Sequence, residues 1–310
     1  MKTFNGKVAA ITGAASGMGR SLAILLARRC CEVALSDIDE KGLAETVAMI
    51  RDVRVTSRKL DVADRAAVYA WADEVVRAHG KVNLIFNNAG ISIAATAAGA
   101  DDEDIERVMN VDYWGVVYGS RAFLPHLVAS GDGHVINTSS VFGLIAFPGQ
   151  SAYNSAKFAV RGFTEALRIE LEITRQNVSA TCVHPGGIKT NIARASKVHH
   201  SLEELGIDIS KAAKSFEKGF RVTADDAAEV ILKGVQKNKR RVLIGTDARV
   251  IDTLQRLLPS SYHGILAKAA LRTLGGGKNR VTTTPAATAP VADAAHPTGY
   301  TSAGRAVGSA

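Results

Sequence analysis

The sequence predicts a doubly wound α/β domain, with a central parallel sheet of about seven strands and helices on both faces. Two observations predict it. Short apolar runs alternate with helical stretches along most of the chain. The first of these runs passes into its helix through a glycine-rich turn, TGAASGMG (12–19), where such a sheet can hold a phosphate. A strand covered on both faces reads as a continuous apolar run rather than an alternation, and these runs have that form.

KVAAITG (7–13) is the first strand, and a helical stretch over 18–29 follows. EVALSD (32–37) is the second strand, leading to a helix from 39 to about 51. VRVTSRKLD (53–61) is the third, with a helix over 63–79. VNLIFNNAG (82–90) is the fourth, followed by one long helix over about 101–129. GHVINTSS (133–140) is the fifth, and the helix bearing Tyr153 runs to about residue 175. VSATCVHPGG (178–187) is the sixth strand. Residues 191–221 hold two short helical stretches and no strand, and read either as a substrate lid or as an ordinary surface insertion. A helix near 223–237 and the strand VLIG (242–245) close the sheet; IDTLQRLL and YHGILAKAALRTL are two further amphipathic stretches. Residues 1–274 are thus expected to form one domain, and the Gly, Ala, Thr, Pro and Ser-rich 275–310 a disordered tail.

At 310 residues the chain is long enough for a substantial core, and 46% hydrophobic with 22% charged residues is a soluble globular balance. No apolar run reaches the roughly 18 residues of a membrane span. The opening MKTFNGKVAAITG reads as mature sequence rather than a signal peptide. Cys30, Cys31 and Cys182 form no framework and no Cys-x-x-Cys, so reduced thiols in a cytoplasm are expected. No metal motif occurs; His199 and His200 are merely adjacent. The net charge of +8 is densest at Lys237, Lys239, Arg240 and Arg241, just before VLIG. That reads as a helix end and turn, and no nucleic-acid partner is expected. A membrane surface could meet the basic stretch 266–272, though a small-molecule partner is the expectation.

Three groups of residues carry chemistry. In the turn, Gly13 permits a tight bend, Gly17 lets backbone approach a pyrophosphate, and Gly19 lets helix and strand pack closely. The spacing is Gly-x-x-x-Gly-x-Gly. Asp37 ends the second strand, where a carboxylate can accept both hydroxyls of an adenosine ribose and repel a 2′-phosphate. Ser16 and Ile38 stand where a basic residue could hold that phosphate, so NAD is favoured over NADP. The alternative is that Asp37 caps the helix beginning near Asp39. Finally, Tyr153 and Lys157 in SAYNSAKFAV are four apart, so on a helix their polar heads can meet, or both can simply be solvated.

With NNAG (87–90), Asn110 and Ser140, these residues resemble the short-chain dehydrogenase/reductase family over residues 5 to about 250. The resemblance implies a single Rossmann domain in which Asn110, Ser140, Tyr153 and Lys157 are catalytic. Ser140 is preferred to Ser139 by its separation from the tyrosine. It also implies that Ser16 and Met18 join the glycine turn, that Ile38, Asp61 and Val62 meet the adenosine, and that Asn88, Ala89 and Gly90 line the cofactor cleft. Pro185, Gly186, Ile188 and Thr190 would hold the nicotinamide end. Stretches such as DIERVMNVDYWGVVYG and CVHPGGIKTNIAR look like secondary-alcohol dehydrogenases of actinobacteria.

The implied chemistry is hydride transfer. A phenol with an ordinary pKa of about 10 is a poor base near neutrality, and the Lys157 ammonium and a positive nicotinamide would both favour its phenolate. In the family the lysine also bonds the nicotinamide ribose, and the asparagine holds a water that links the lysine to solvent. Ser140 would donate to the substrate oxygen. The apolar stretches 90–99 and 141–149 either line a pocket for an apolar secondary alcohol or ketone, or pack beneath the lid. Ala156, Val160, Phe163 and Leu167 form a helical stripe that packs on the sheet or on a partner subunit; the family is commonly dimeric or tetrameric. Two other readings are a lyase or epimerase using bound NAD transiently, and a non-catalytic NAD-sensing module.

Overall fold

The computed structural model describes residues 1–189, 196–207, 209 and 222–273. Thr190, the rest of 191–221 and the tail 275–310 lie outside them.

Seven strands form one parallel sheet: β1 (Val8–Thr12), β2 (Glu32–Asp37), β3 (Val55–Lys59), β4 (Leu84–Asn87), β6 (Gly133–Thr138), β7 (Val178–Pro185) and β9 (Arg241–Ile244). Their spatial order is β3-β2-β1-β4-β6-β7-β9. The chain winds outward from β1 to β3, then crosses back to place β4 on the other side of β1. The strand order therefore switches between β1 and β4, and the crevice beyond their carboxyl ends is where such sheets bind ligands.

Both faces of the sheet are covered, which is why the strands are continuous apolar runs. Ala9 and Ile11 of β1 face one core, with α1 (Gly17–Ala27), α2 (Glu40–Ala48) and α7 (Ala224–Gln236). Val8 and Ala10 face the other, with α3 (Arg65–His79), α5 (Gly115–Ala129) and α6 (Ser151–Ile173). Local signals end the helices as their chemistry requires. Asp39, Asp64 and Thr223 cap the starts of α2, α3 and α7, and Gly80, at φ 76°, takes the left-handed position after α3.

Two expectations change. The long helix over 101–129 is divided: α4 (Asp102–Met109) passes through a π turn (Asn110–Trp114) into α5, and the Gly115 N–H reaches back to the Asn110 carbonyl. Such an inserted turn leaves no trace in apolar spacing. The segment after β7 also holds a strand. β8 (Lys197–Val198) pairs in parallel with β5 (Ile93–Ala94), just after β4, and a 3-10 helix (His200–Leu205) follows. A two-residue strand is too short for any periodicity to reveal. The remaining helices among the described residues are α8 (Thr246–Leu257) and α9 (Tyr262–Thr273). No described helix is long and apolar enough to cross a membrane.

Candidate active site

The glycine turn is clamped from the neighbouring strand. Thr12 Oγ1 accepts the backbone N–H of Asn88 at 3.0 Å and of Ala89 at 3.1 Å. Asn88 Nδ2 donates back to the carbonyls of Thr12 at 3.1 Å and Gly13 at 3.3 Å. Gly13 has φ 68°, and a Cβ on it would lie 2.8 Å from the Ala89 Cα. A Cβ on Gly19 would lie 2.0 Å from the Gly13 carbonyl oxygen, so position 19 admits no side chain without moving the turn. Ser16 precedes α1 without a side-chain cap bond, and no acid stands in the first turn. The amides of Gly17, Met18 and Gly19 thus begin a helix suited to an anion.

Asp37 faces this turn. Its Oδ2 accepts the Ala15 N–H at 2.9 Å and its Oδ1 the Asp39 N–H at 3.0 Å. The capping role belongs instead to Asp39, whose carboxylate accepts the Gly42 N–H at 3.1 Å. Arg20, a cation near this loop, is committed to α2: it donates to Thr46 Oγ1 at 2.9 Å and pairs with Glu45 at 3.0 Å. Ile38 next to Asp37 is 64% exposed, an apolar platform beside a carboxylate. Asp61 is exposed and turns its carboxylate to the Ala63 N–H, and Val62 is buried against Gly115. A cradle that side chains would fill, an open helix start, an anchored carboxylate and an exposed apolar platform fit a dinucleotide.

The catalytic side lies at the end of β6. Ser139 and Ser140 point differently. Ser139 Oγ donates to the Lys157 carbonyl at 2.8 Å and is used up in holding α6. Ser140 Oγ accepts the Phe142 N–H at 3.1 Å and hydrogen-bonds the Tyr153 phenol. The helix α6 begins just before Tyr153, so Tyr153 and Lys157 share the face that meets β6. Lys157 Nζ lies 5.4 Å from the Tyr153 ring centre and donates to the Thr138 carbonyl at 3.2 Å. At 3% exposure Lys157 is no solvated lysine.

Its ion partner was not foreseen. Asp112, 0% exposed, approaches Lys157 Nζ to 3.0 Å through Oδ2 and accepts the Ile91 N–H at 2.7 Å through Oδ1. Asn110, expected here, is exposed. Two residues along a helix turn the side chain by about 200°, so 110 and 112 face opposite ways. An acid within the apolar run VDYWGVV was the available signal, because a buried carboxylate needs a partner. Gly90 completes the packing: a Cβ there would come within 3.3 Å of Asp112 Oδ1 and 3.4 Å of Lys157 Nζ.

The charges interlock. Burial pushes the Tyr153 phenol up; Lys157 pulls it down and Asp112 pushes it further up. The net direction is upward, so here burial outweighs the lysine that was expected to lower it. Burial also works against the Lys157 ammonium, but Asp112 and then Tyr153 more than offset it, and the ammonium is held above the ordinary range. Burial raises Asp112, against the pull of Lys157 and the Ile91 N–H. Behind Ser140, His184 Nδ1 donates to the Ser140 carbonyl at 2.8 Å, and burial lowers this imidazole to about 4.

Of the remaining expected residues, Pro185 ends β7, Gly186 follows, and Ile188 bridges Val222. Asp247 of α8, also unforeseen, accepts the Gly187 N–H at 2.7 Å and holds this loop. Packing claims much of the apolar stretch 141–149, since Val141, Leu144 and Ile145 are buried. Phe142 and Phe147 are only partly buried; their rings stack at 5.3 Å, and Phe142 meets Tyr153 edge-on at 6.2 Å. Tyr262, at the start of α9, is buried, and its hydroxyl accepts the Ala146 N–H at 3.2 Å. The expected stripe packs within the chain: Ala156 is buried beside Ile93 and Val108, Val160 is buried, and Leu167 and Phe163 join the core that Val8 and Ala10 face. In the basic cluster, Arg240 pairs with Glu172, and Arg241 with Glu165 and Asp252.

Residues 7–200 match the family model described as short chain dehydrogenase. The chain is 50% identical over 270 residues to SadH of Mycobacterium tuberculosis, covering 86% of this chain and 96% of that protein. Among solved structures it resembles a short-chain dehydrogenase/reductase from Burkholderia phymatum in complex with NAD, with 30% identity and a TM-score of 0.77, covering 83% of this chain and 95% of that one. It also resembles an alcohol dehydrogenase of the archaeon Thermococcus sibiricus complexed with 5-hydroxy-NADP, with 25% identity and a TM-score of 0.63, covering 77% and 95%. The chain belongs to the short-chain dehydrogenase family and is an oxidoreductase.

Proposed function

From that membership we propose that the chain is an NAD-dependent oxidoreductase that moves a hydride between a nicotinamide and an apolar secondary alcohol or its ketone. The observation that carries the proposal is the convergence of Ser140, Tyr153 and Lys157 at the end of β6, beside the glycine turn that Asn88 clamps. When bound, the oxidised nicotinamide supplies the hydride acceptor and a positive charge. Tyr153, as the phenolate that Lys157 and the positive nicotinamide favour, takes the alcohol proton on its phenolic oxygen, beside the Ser140 hydroxyl. Ser140 steadies the substrate oxygen with a hydrogen bond as charge develops there. Lys157 offsets the phenolate's charge from within the same helix face. Phe142 and Phe147 make an apolar wall next to Tyr153, which supports an apolar substrate.

Asp37 supports NAD over NADP, since its carboxylate is already oriented by two backbone N–H groups and would repel a 2′-phosphate. Cofactor contacts are assigned to Gly13, Ser16 to Gly19, Asp37, Ile38, Asp61, Val62, Asn88 to Gly90, Tyr153, Lys157, Pro185, Gly186 and Ile188, and to Thr190 outside the described residues. A homodimer or homotetramer is supported by exposed apolar side chains on the outer face of α6: Phe158 at 39%, Ile169 at 57% and Ile173 at 74%. Three free thiols, Cys30, Cys31 and Cys182, support a reducing compartment such as the cytoplasm.

The test is nicotinamide reduction by the purified protein, with NAD and NADP in parallel, across linear, cyclic and steroidal secondary alcohols. Reduction of NAD with an apolar alcohol is the expected result. Tight NAD binding without net NADH would reject it in favour of a lyase, an epimerase or a sensor.

A further inference from the structure

We propose that Asp112 is a positioning residue of this site: its buried carboxylate anchors the Lys157 ammonium, and its charge keeps the site's working proton bound to a higher pH than a neutral residue at position 112 would. The inference rests on the reading of Tyr153 as the base.

The geometry carries it. The 3.0 Å pair is sealed, with side-chain exposures of 4% for Lys157 and 0% for Asp112. The second carboxylate oxygen is tied to the Ile91 N–H, and the Thr138 carbonyl holds the ammonium from β6. The π turn swings Asp112 inward; in sequence it is merely the third residue of that turn. Gly90 leaves just the space the pair fills.

Few other groups could set the charge here. From β6 come the Ser139 and Ser140 hydroxyls, which do not titrate in this range. From β7 come Cys182, pushed up to about 12 by burial, and His184, held down at about 4, so both are neutral between those limits. Arg161, one turn beyond Lys157 on α6, is paired with Glu165 at 3.1 Å. From the π turn, Tyr113 packs against Trp114 and the Ile93 cluster. Among the described residues, Asp112 is therefore the anion that faces the Tyr153 and Lys157 pair.

With Asp112 ionised, Lys157 protonated and Tyr153 neutral, the three carry no net charge. Releasing one proton from the phenol to solvent leaves one negative charge in a dry site. With asparagine at 112 the same release takes the site from one positive charge to none. Coulomb's law favours the second release, whether the proton leaves from the phenol or from the ammonium, because the two titrate as a pair.

The test compares the chain with Asp112→Asn, which keeps the size and can still accept the Ile91 N–H. Phenolate formation is followed by ultraviolet difference titration, each protein referenced to its own Tyr153→Phe version, and kcat/KM is followed against pH with the best alcohol found. The expected result is an acid limb and a proton-release midpoint lower by about one pH unit or more in Asp112→Asn. Asp112→Ser, smaller and also neutral, should move the same way if the asparagine variant folds poorly. An unmoved or raised midpoint would overturn the role of Asp112. Absence of any turnover in the unaltered chain would instead overturn the oxidoreductase reading, and the titration would still decide the role of Asp112.

Discussion

The two sides of the switch point are held by different forces. On the β1 and β2 side, the glycine turn is fixed by backbone hydrogen bonds and by contacts too close for a side chain, with Asn88 as the clamp and Asp37 anchored by two amides. On the β6 and β7 side, the site is a set of buried titratable groups, Asp112, Tyr153, Lys157 and His184, each shifted by burial and by its neighbours. The first side is shaped by sterics and backbone hydrogen bonds, and its glycine turn should be indifferent to pH. The second is shaped by charge and should not be. The contrast teaches that one crevice can keep its binding and its chemistry under separate physical control.

The largest effect that would break this contrast is on chemistry. Tyr153→Phe should lower turnover by about 10²–10⁴-fold while the NAD dissociation constant stays within a few-fold. Steady-state rates and a binding titration check it; retained activity would remove the proposed base. Next comes acid. His134 on β6 and His184 on β7 are lowered from 6.5 to about 3 and about 4, chiefly by burial. Their folded values lie below the unfolded one, so the stability they contribute is complete above pH 6.5 and is lost as pH falls towards about 3. A loss of a few kcal/mol over that window is expected from denaturant unfolding at a series of pH values, and His134→Gln with His184→Asn should flatten it.

Two smaller tests sharpen the other side. Gly19→Ala should cost about 1–3 kcal/mol of stability and weaken NAD binding, by the same amount across the pH range, since a methyl would meet the Gly13 carbonyl. A pH-dependent loss would mean that the turn is not governed by sterics alone. Asp37→Ala should cost about 1 kcal/mol of stability, as the Ala15 N–H loses its acceptor, and reduce the preference for NAD over NADP by roughly tenfold, read from the ratio of kcat/KM values. An unchanged ratio would return Asp37 to a purely structural role on the α2 loop.

These two sides also differ in how far they could be read from sequence. Gly13, Gly17 and Gly19 are local: their spacing and the strand before them already specify a turn that opens a helix. Tyr153 and Lys157 are local in the same sense, since four residues on one helix share a face. Ser140 could be told from Ser139 only by its separation from Tyr153, and the structure shows what the other hydroxyl does, donating to the Lys157 carbonyl. Asn110 and Asp112 mark where this kind of reading stops. Both lie in one apparent helix, and which of them faces Lys157 depends on the phase that the π turn imposes. Likewise, β8 finds its pairing only because β5 lies across from it.

By itself, then, the sequence determined the parallel sheet, the order of its helices, the phosphate turn and the paired phenol and ammonium. Each of these follows from short-range periodicity or from a fixed spacing along one element. Only the tertiary structure decided that Asp112 is the anion in the site, that Asp39 rather than Asp37 caps α2, that Asp247 holds the loop after β7, and that Tyr262 docks on the segment after Ser140. The reason is physical. Such contacts join residues distant in sequence or depend on helix phase, and a buried charge or an orphaned N–H finds its partner only when the chain has closed around it.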